Sequence, residues 1–157
     1  LTRQDFSDQK RSQKVKETLN SLTFKKIVPV VNENDSVSDE EIKFGDNDVL
    51  SALLSSLTEA KFLIILSTAK GLMTHPVEGE LIPLVEQISP AIEEMAKGTT
   101  SSTSVGGMTT KIEAAKIATK SGCAVFIGSG ENDPDLPSII QNKAEGTFFP
   151  PFGLDLN

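Results

Sequence analysis

The chain contains no tryptophan and no tyrosine, and only one cysteine (Cys123) and one histidine (His75). A lone cysteine cannot close an internal disulfide, and with a single histidine it cannot assemble a structural zinc site. Phenylalanine is the sole aromatic residue, so stacking on a base or sugar would fall to Phe or to aliphatic side chains. No apolar run approaches the ~20 residues of a membrane-spanning helix, and nothing resembles a secretory signal. A cytoplasmic protein without a membrane partner is expected. His75 next to Pro76 reads as a loop residue rather than a general base, and Cys123 as a small core residue rather than a nucleophile.

Basic charge is also scarce. Fifteen Lys and Arg face 22 Asp and Glu, giving a net charge of -7 and a pI near 4.7. Such a surface repels a phosphate backbone, which argues against nucleic acid as a partner. Basic residues are concentrated at the start of the chain, at Arg3, Lys10, Arg11, Lys14, Lys16, Lys25 and Lys26, a distribution that fits a solvated helix face. The remainder is strongly acidic.

What is present suits one domain over 1–157: 38% hydrophobic and 24% charged residues are ordinary globular proportions. Leu1-Thr2 reads as the tail of a strand feeding a helix over 3–24, with Thr2 as N-cap and Val15, Leu19 and Leu22 at helical spacing. On this reading the amino end of the fold precedes Leu1. Ile27 to Val31 is expected to form a buried strand, followed by a long polar loop and a helix starting near Asp46 to Asp48 that carries Leu50, Leu53, Leu54 and Leu57 on one face. Phe62 to Leu66 is a second strand, and Leu81 to Ile88 a short apolar stretch. Ser89-Pro90 opens a helix by supplying an N-cap and a first-turn proline. A low-complexity loop from Gly98 to Gly107 leads into a helix from Met108 to Ser121, which Gly122 stops. Ala124 to Ile127 is a third strand with Gly128-Ser129-Gly130 as its loop, Leu136 to Asn142 a short helix, and Gly146 to Phe149 a final edge strand. Alternating strands and helices predict a mostly parallel α/β sheet covered by helices.

Three constellations could carry chemistry. Asn32-Glu33-Asn34-Asp35 follows an apolar run, and Asp46-Asn47-Asp48 sits at a helix start. Together they could surround an ammonium group or a hydrated Mg2+, or they could simply cap the helix and form a solvated turn. Gly106-Gly107-Met108-Thr109-Thr110-Lys111 places glycines, orphan N–H groups and a lysine at a helix N-terminus, where phosphate binds well. The spacing is not that of a Walker motif, and a hinge with an N-capping threonine is the plainer alternative. Ser67 and Thr68 end a strand, as part of either a nucleotide pocket or a simple strand exit.

Taken in order, VPVVNENDSVS, EIKFGDNDVLSAL, LSTAKGL and GGMTTKIEAAKIATKSG resemble the glutamate 5-kinase family of the amino acid kinase superfamily. The resemblance implies an αβα sandwich. It further implies ATP- and Mg2+-dependent phosphorylation of the L-glutamate side-chain carboxylate, the first step of proline synthesis. It assigns Asp35, Asn47 and Asn34 to glutamate and Ser67, Thr68 and Val105 through Lys111 (Val105, Gly106, Gly107, Met108, Thr109, Thr110, Lys111) to ATP. Lys111, Asp48 and Asp46 become catalytic, with Asp48 holding lysines in place. Thr68 and Val105 depart from the family's usual Asp and Thr. A homo-oligomer and proline as feedback inhibitor are implied as well. Because the family's glycine-rich turn and phosphate-binding lysine lie before Leu1, the chain alone is expected to be inactive. Another amino acid kinase, or a non-catalytic oligomerising or regulatory fragment of the same fold, are the alternatives.

Overall fold

The computed structural model describes residues 1–2, 4–34, 46–75, 79–97, 107–131, 136–141 and 143–153; for Asp46 it describes the backbone alone. The elements run α1 (Gln4–Ser7), α2 (Gln9–Phe24), α3 (Asp46–Thr58), β1 (Phe62–Ser67), α4 (Pro90–Lys97), α5 (Met108–Lys120), β2 (Ala124–Ser129), α6 (Leu136–Ile140) and β3 (Gly146–Phe149). The helix expected over 3–24 is interrupted at Asp8. Its carboxylate accepts a bond from the Arg11 N–H at 2.9 Å and caps α2, which competes with continuing α1. Upstream, the Thr2 N–H and Oγ1 donate to Asp5 Oδ2 at 2.7 and 3.1 Å, while the Asp5 N–H donates to the Thr2 carbonyl rather than to its side chain, so only the Asp5 half of a reciprocal cap forms.

The sheet order is β1-β2-β3. β1 and β2 pair in parallel from Phe62 opposite Ala124 to Ser67 opposite Ser129, and β3 runs antiparallel to β2. Among the described residues the sheet is therefore mixed, because the short return through α6 brings the chain back in the opposite direction. The outer side of β3 is partly covered: the Phe148 N–H donates to the Pro83 carbonyl and the Val85 N–H to the Phe148 carbonyl, both at 2.9 Å, which gives the apolar 81–88 stretch its place. Gly128 and Gly146 lie opposite each other, and a Cβ on either would run into the Phe126 ring. Glycine at these two positions lets the aromatic side chain lie across the ladder.

Helices α3 and α5 pack on each other and against β1 and β2. Ala52, Ala114, Ala115 and Ala118 are fully buried there, together with Ile65, Val125, Ile127 and Phe149. Small side chains allow close approach of the helices, and β-branched residues fill the sheet face. The expected face of α5, formed by Met108, Ile112, Ala115 and Ala118, is buried.

Ile27 to Val31 does not form the buried strand that its composition predicts. It belongs to no helix, strand or turn, and Val28 and Val30 are 84% and 96% exposed. Apolar composition sets a tendency to be covered, but strand formation needs a hydrogen-bonding neighbour. Among the described residues none runs alongside.

Candidate active site

Each of the two central helices precedes its strand across a tight turn, α3 to β1 through 59–61 and α5 to β2 through 121–123. Glu59 and Gly122 take the left-handed backbone conformation that reverses the chain. A 13-residue helix and a six-residue strand both span ~20 Å, so reversal brings the helix N-termini level with the strand C-termini. The first turns of α3 and α5 thus lie at the carboxyl edge of the parallel pair, where open α/β sheets bind ligands.

Two side chains from these turns meet. Lys111 Nζ donates to Asp48 Oδ2 at 2.8 Å, and their side chains are only 8% and 13% exposed. Thr110 Oγ1 lies 3.3 Å from the same carboxylate oxygen and 2.8 Å from the Gly107 carbonyl. The sequence places Asp48 and Lys111 in separate motifs, and α3 against α5 unites them. Thr110 links the carboxylate to the start of α5, a contact that its position in the phosphate-like motif does not reveal.

Gly107 caps α5 without a side-chain bond, and the space beside its Cα is open. The Met108 and Thr109 N–H groups have no acceptor among the described residues. Orphan donors at an open helix start suit phosphate oxygens. Two contacts fix α4 against this helix: Thr109 Oγ1 to the Ala96 carbonyl at 3.4 Å, and the Lys116–Glu93 ion pair. The hydrogen bond and positive charge of Lys116 hold the Glu93 carboxyl below its usual range.

Asn47, the second residue of α3, is exposed, and its Oδ1 accepts the Glu33 N–H at 3.2 Å. This bond ties the 32–34 segment to the start of α3. The Asn34 N–H donates to the Leu1 carbonyl at 2.9 Å. At the end of β1, Ser67 Oγ accepts from the Ala69 N–H at 3.0 Å, and Thr68 is exposed. The register sets Ser129 beside Ser67, and Ser129 Oγ accepts from the Glu131 N–H at 3.1 Å in the same manner. Sequence reading treats Ser129 only as loop; its only available signal is a serine at the same register as Ser67. Asp35, Val105, Gly106 and the Asp46 side chain lie outside the described residues. Among the described residues, no group of three or more His, Cys, Asp or Glu side chains could hold a metal ion.

Helix starts converging at the carboxyl edge of a parallel pair, around a buried lysine–carboxylate contact, define an α/β domain of the open-sheet class. The chain belongs to the amino acid kinase family, whose model matches residues 1–129. Among curated relatives, it is 43% identical over 157 residues to a glutamate 5-kinase of Rhizobium leguminosarum bv. trifolii, covering 98% of this chain and 40% of the relative. It is 41% identical over 153 residues to a glutamate 5-kinase of Streptococcus suis, covering 95% and 43%. The chain thus spans about two fifths of the length of these relatives. Two solved structures share the fold. One is a carbamate kinase from Giardia lamblia bound to AMP-PNP, with TM-score 0.58 and 15% identity, covering 86% of this chain and 44% of that one. The other is a UMP kinase from Ureaplasma parvum, with TM-score 0.54 and 11% identity, covering 86% and 52%.

Proposed function

We propose that this chain supplies the glutamate-binding and phosphate-facing part of a glutamate 5-kinase, in which the side-chain carboxylate of L-glutamate attacks the γ-phosphorus of Mg-ATP. An oxygen–phosphorus bond forms to give L-glutamyl 5-phosphate, and the bond to the β-phosphate oxygen breaks to release ADP. Glutamate is already ionised at neutral pH, so no strong base is required and catalysis reduces to alignment and charge neutralisation. The buried Lys111–Asp48 contact at the open start of α5 carries this reading. An ammonium held by a carboxylate at a helix N-terminus is a preorganised charge for the transferring phosphoryl group.

The remaining roles follow the motifs. Asn47, Asn34 and Asp35 take glutamate, with the Asp35 carboxylate for its ammonium. Gly107, Met108, Thr109 and Thr110, preceded by Val105 and Gly106, receive the phosphates. Ser67 and Thr68 line the nucleotide side, and Asp46 lies near the reacting phosphate. Mg2+ enters with ATP. There it would supply further charge neutralisation, while Asp48 would stay engaged with Lys111. The identity to glutamate 5-kinases over nearly the whole chain supports glutamate as acceptor. Because those relatives extend well beyond the matched stretch, activity is expected only with their remaining parts.

A chimera tests this directly. Residues 1–157 would replace the aligned stretch of the Rhizobium relative, and ADP release would be followed with and without L-glutamate. Glutamate-dependent release that falls by at least ~100-fold on Lys111→Ala is expected. Release that responds to carbamate or UMP instead would assign the chain to another branch of the family. Unchanged turnover in the Lys111 variant would remove the lysine from the mechanism.

A further inference from the structure

At the carboxyl ends of β1 and β2 the register sets two hydroxyls side by side. Ser67 lies opposite Ser129, on neighbouring strands roughly 5 Å apart. The Gly130 N–H donates to the Ser67 carbonyl at 2.8 Å, which carries the pairing one residue past the strands and holds the two serines level. By strand alternation both share the sheet face of Ile65, Val125 and Ile127, against which α3 and α5 pack. Their side chains therefore lie on the side where the first turns of α3 and α5 reach the same edge. On the kinase reading above, on which this rests, we propose that Ser129 joins Ser67 in binding the nucleotide base, the two hydroxyls donating to an acceptor-only ring nitrogen.

The hydrogen bonds that the two serines already make decide what they can take. A serine hydroxyl accepts through two lone pairs and donates one proton. Ser67 Oγ accepts the Ala69 N–H at 3.0 Å, and Ser129 Oγ accepts the Glu131 N–H at 3.1 Å. Neither hydroxyl proton has an acceptor among the described residues, although both serines are half-buried. Each is thus set to donate, and an acceptor atom placed between them lies within hydrogen-bond reach of both. Both donors are neutral, whereas phosphate oxygens find the Lys111 ammonium and the Met108 and Thr109 N–H groups at the start of α5. A ribose hydroxyl would bring a proton of its own, and one acceptor position on each serine is already filled. A ring nitrogen with a lone pair and no proton meets the pair and leaves no group unmatched.

The test uses the chimera described above and measures by calorimetry the Kd of Mg-ATP and of its 1-deaza, 3-deaza and 7-deaza analogues, in each of which C–H replaces one ring nitrogen. L-Glutamate is left out, so the result does not depend on the acceptor. One analogue should bind about 3–10-fold more weakly than ATP, the effect of a neutral hydrogen bond. Ser129→Ala should weaken ATP by a similar factor and leave the Kd of that analogue unchanged, because the bond is already missing there. Ser129→Thr keeps the hydroxyl and should bind ATP as the parent does. If Ser129→Ala weakens ATP and all three analogues equally, the serine only holds the Glu131 turn and the proposal is overturned. It is overturned as well if Ser129→Ala leaves ATP binding unchanged, if the loss follows 2′-deoxy-ATP or 3′-deoxy-ATP instead, or if the chimera binds no ATP. A chimera that shows the expected pattern but releases no ADP with L-glutamate would keep this assignment and remove the glutamate reading.

Discussion

Replacing Lys111 by methionine removes the ammonium while keeping much of the stem volume, and it leaves Asp48 as a carboxylate that is 13% exposed. Breaking a buried ion pair from one side costs about 3–5 kcal/mol, because the remaining charge lacks both water and partner. Thr110 Oγ1 still reaches Asp48 Oδ2, which places the expected cost near the lower end, about 3 kcal/mol. Asp48→Asn removes the charge that faces the ammonium and is expected to cost about 2–3 kcal/mol, since an amide oxygen can still accept. The double variant leaves no unpaired charge and should cost less than the two added together, with a coupling of about 2 kcal/mol or more. Lacking tryptophan and tyrosine, the chain suits urea titration followed by far-ultraviolet circular dichroism rather than by intrinsic fluorescence. For a domain of this size, the Lys111→Met loss corresponds to a melting temperature lower by roughly 6–12 °C. If the two single effects add to within ~0.5 kcal/mol, the pair is not coupled and the packing of α3 on α5 does not depend on it.

Three further outcomes follow from the packing. Gly146→Ala places a methyl in the Phe126 ring and should destabilise by about 1–3 kcal/mol in the same titration; Gly146→Ala with Phe126→Leu should recover part of that loss. Thr147 is fully buried and its Oγ1 accepts the Leu72 N–H at 2.8 Å, so Thr147→Val orphans a buried donor at about 1–3 kcal/mol, whereas Thr147→Ser should cost clearly less. Burial raises the Cys123 thiol above its ordinary range. The unfolded chain therefore loses that proton first, and stability should fall as pH rises past the free-thiol value of roughly 8.5. A Cys123→Ala variant should lack this alkaline component, and a native thiol that alkylates at the rate of a free peptide would contradict its burial.

Helices were legible wherever an apolar face and a terminus signal coincide, as in α5 with Gly107 before it and Gly122 after it. β1 and β2 were legible as β-branched runs between turn residues. The 27–31 run carries the same signal and is not a strand, because periodicity reports only the chain's own preference whereas a ladder also needs a neighbour. In the same way the sequence shows Asp48 and Lys111 each at a helix start, but their contact exists only because the small residues of α3 and α5 let the two helices meet. On the function proposed above, that contact serves phosphoryl transfer more than stability. Lys111 sits in the first turn of α5, where the helix macrodipole disfavours a positive charge, and it is buried, which disfavours the charge again. Asp48, in the first turn of α3, is favoured by its own helix and neutralises the lysine. An apolar pair of similar volume would pack at least as stably. On the function proposed above, a buried ammonium at a helix end that favours anions serves an approaching phosphate, beside the Met108 and Thr109 N–H groups that have no acceptor among the described residues.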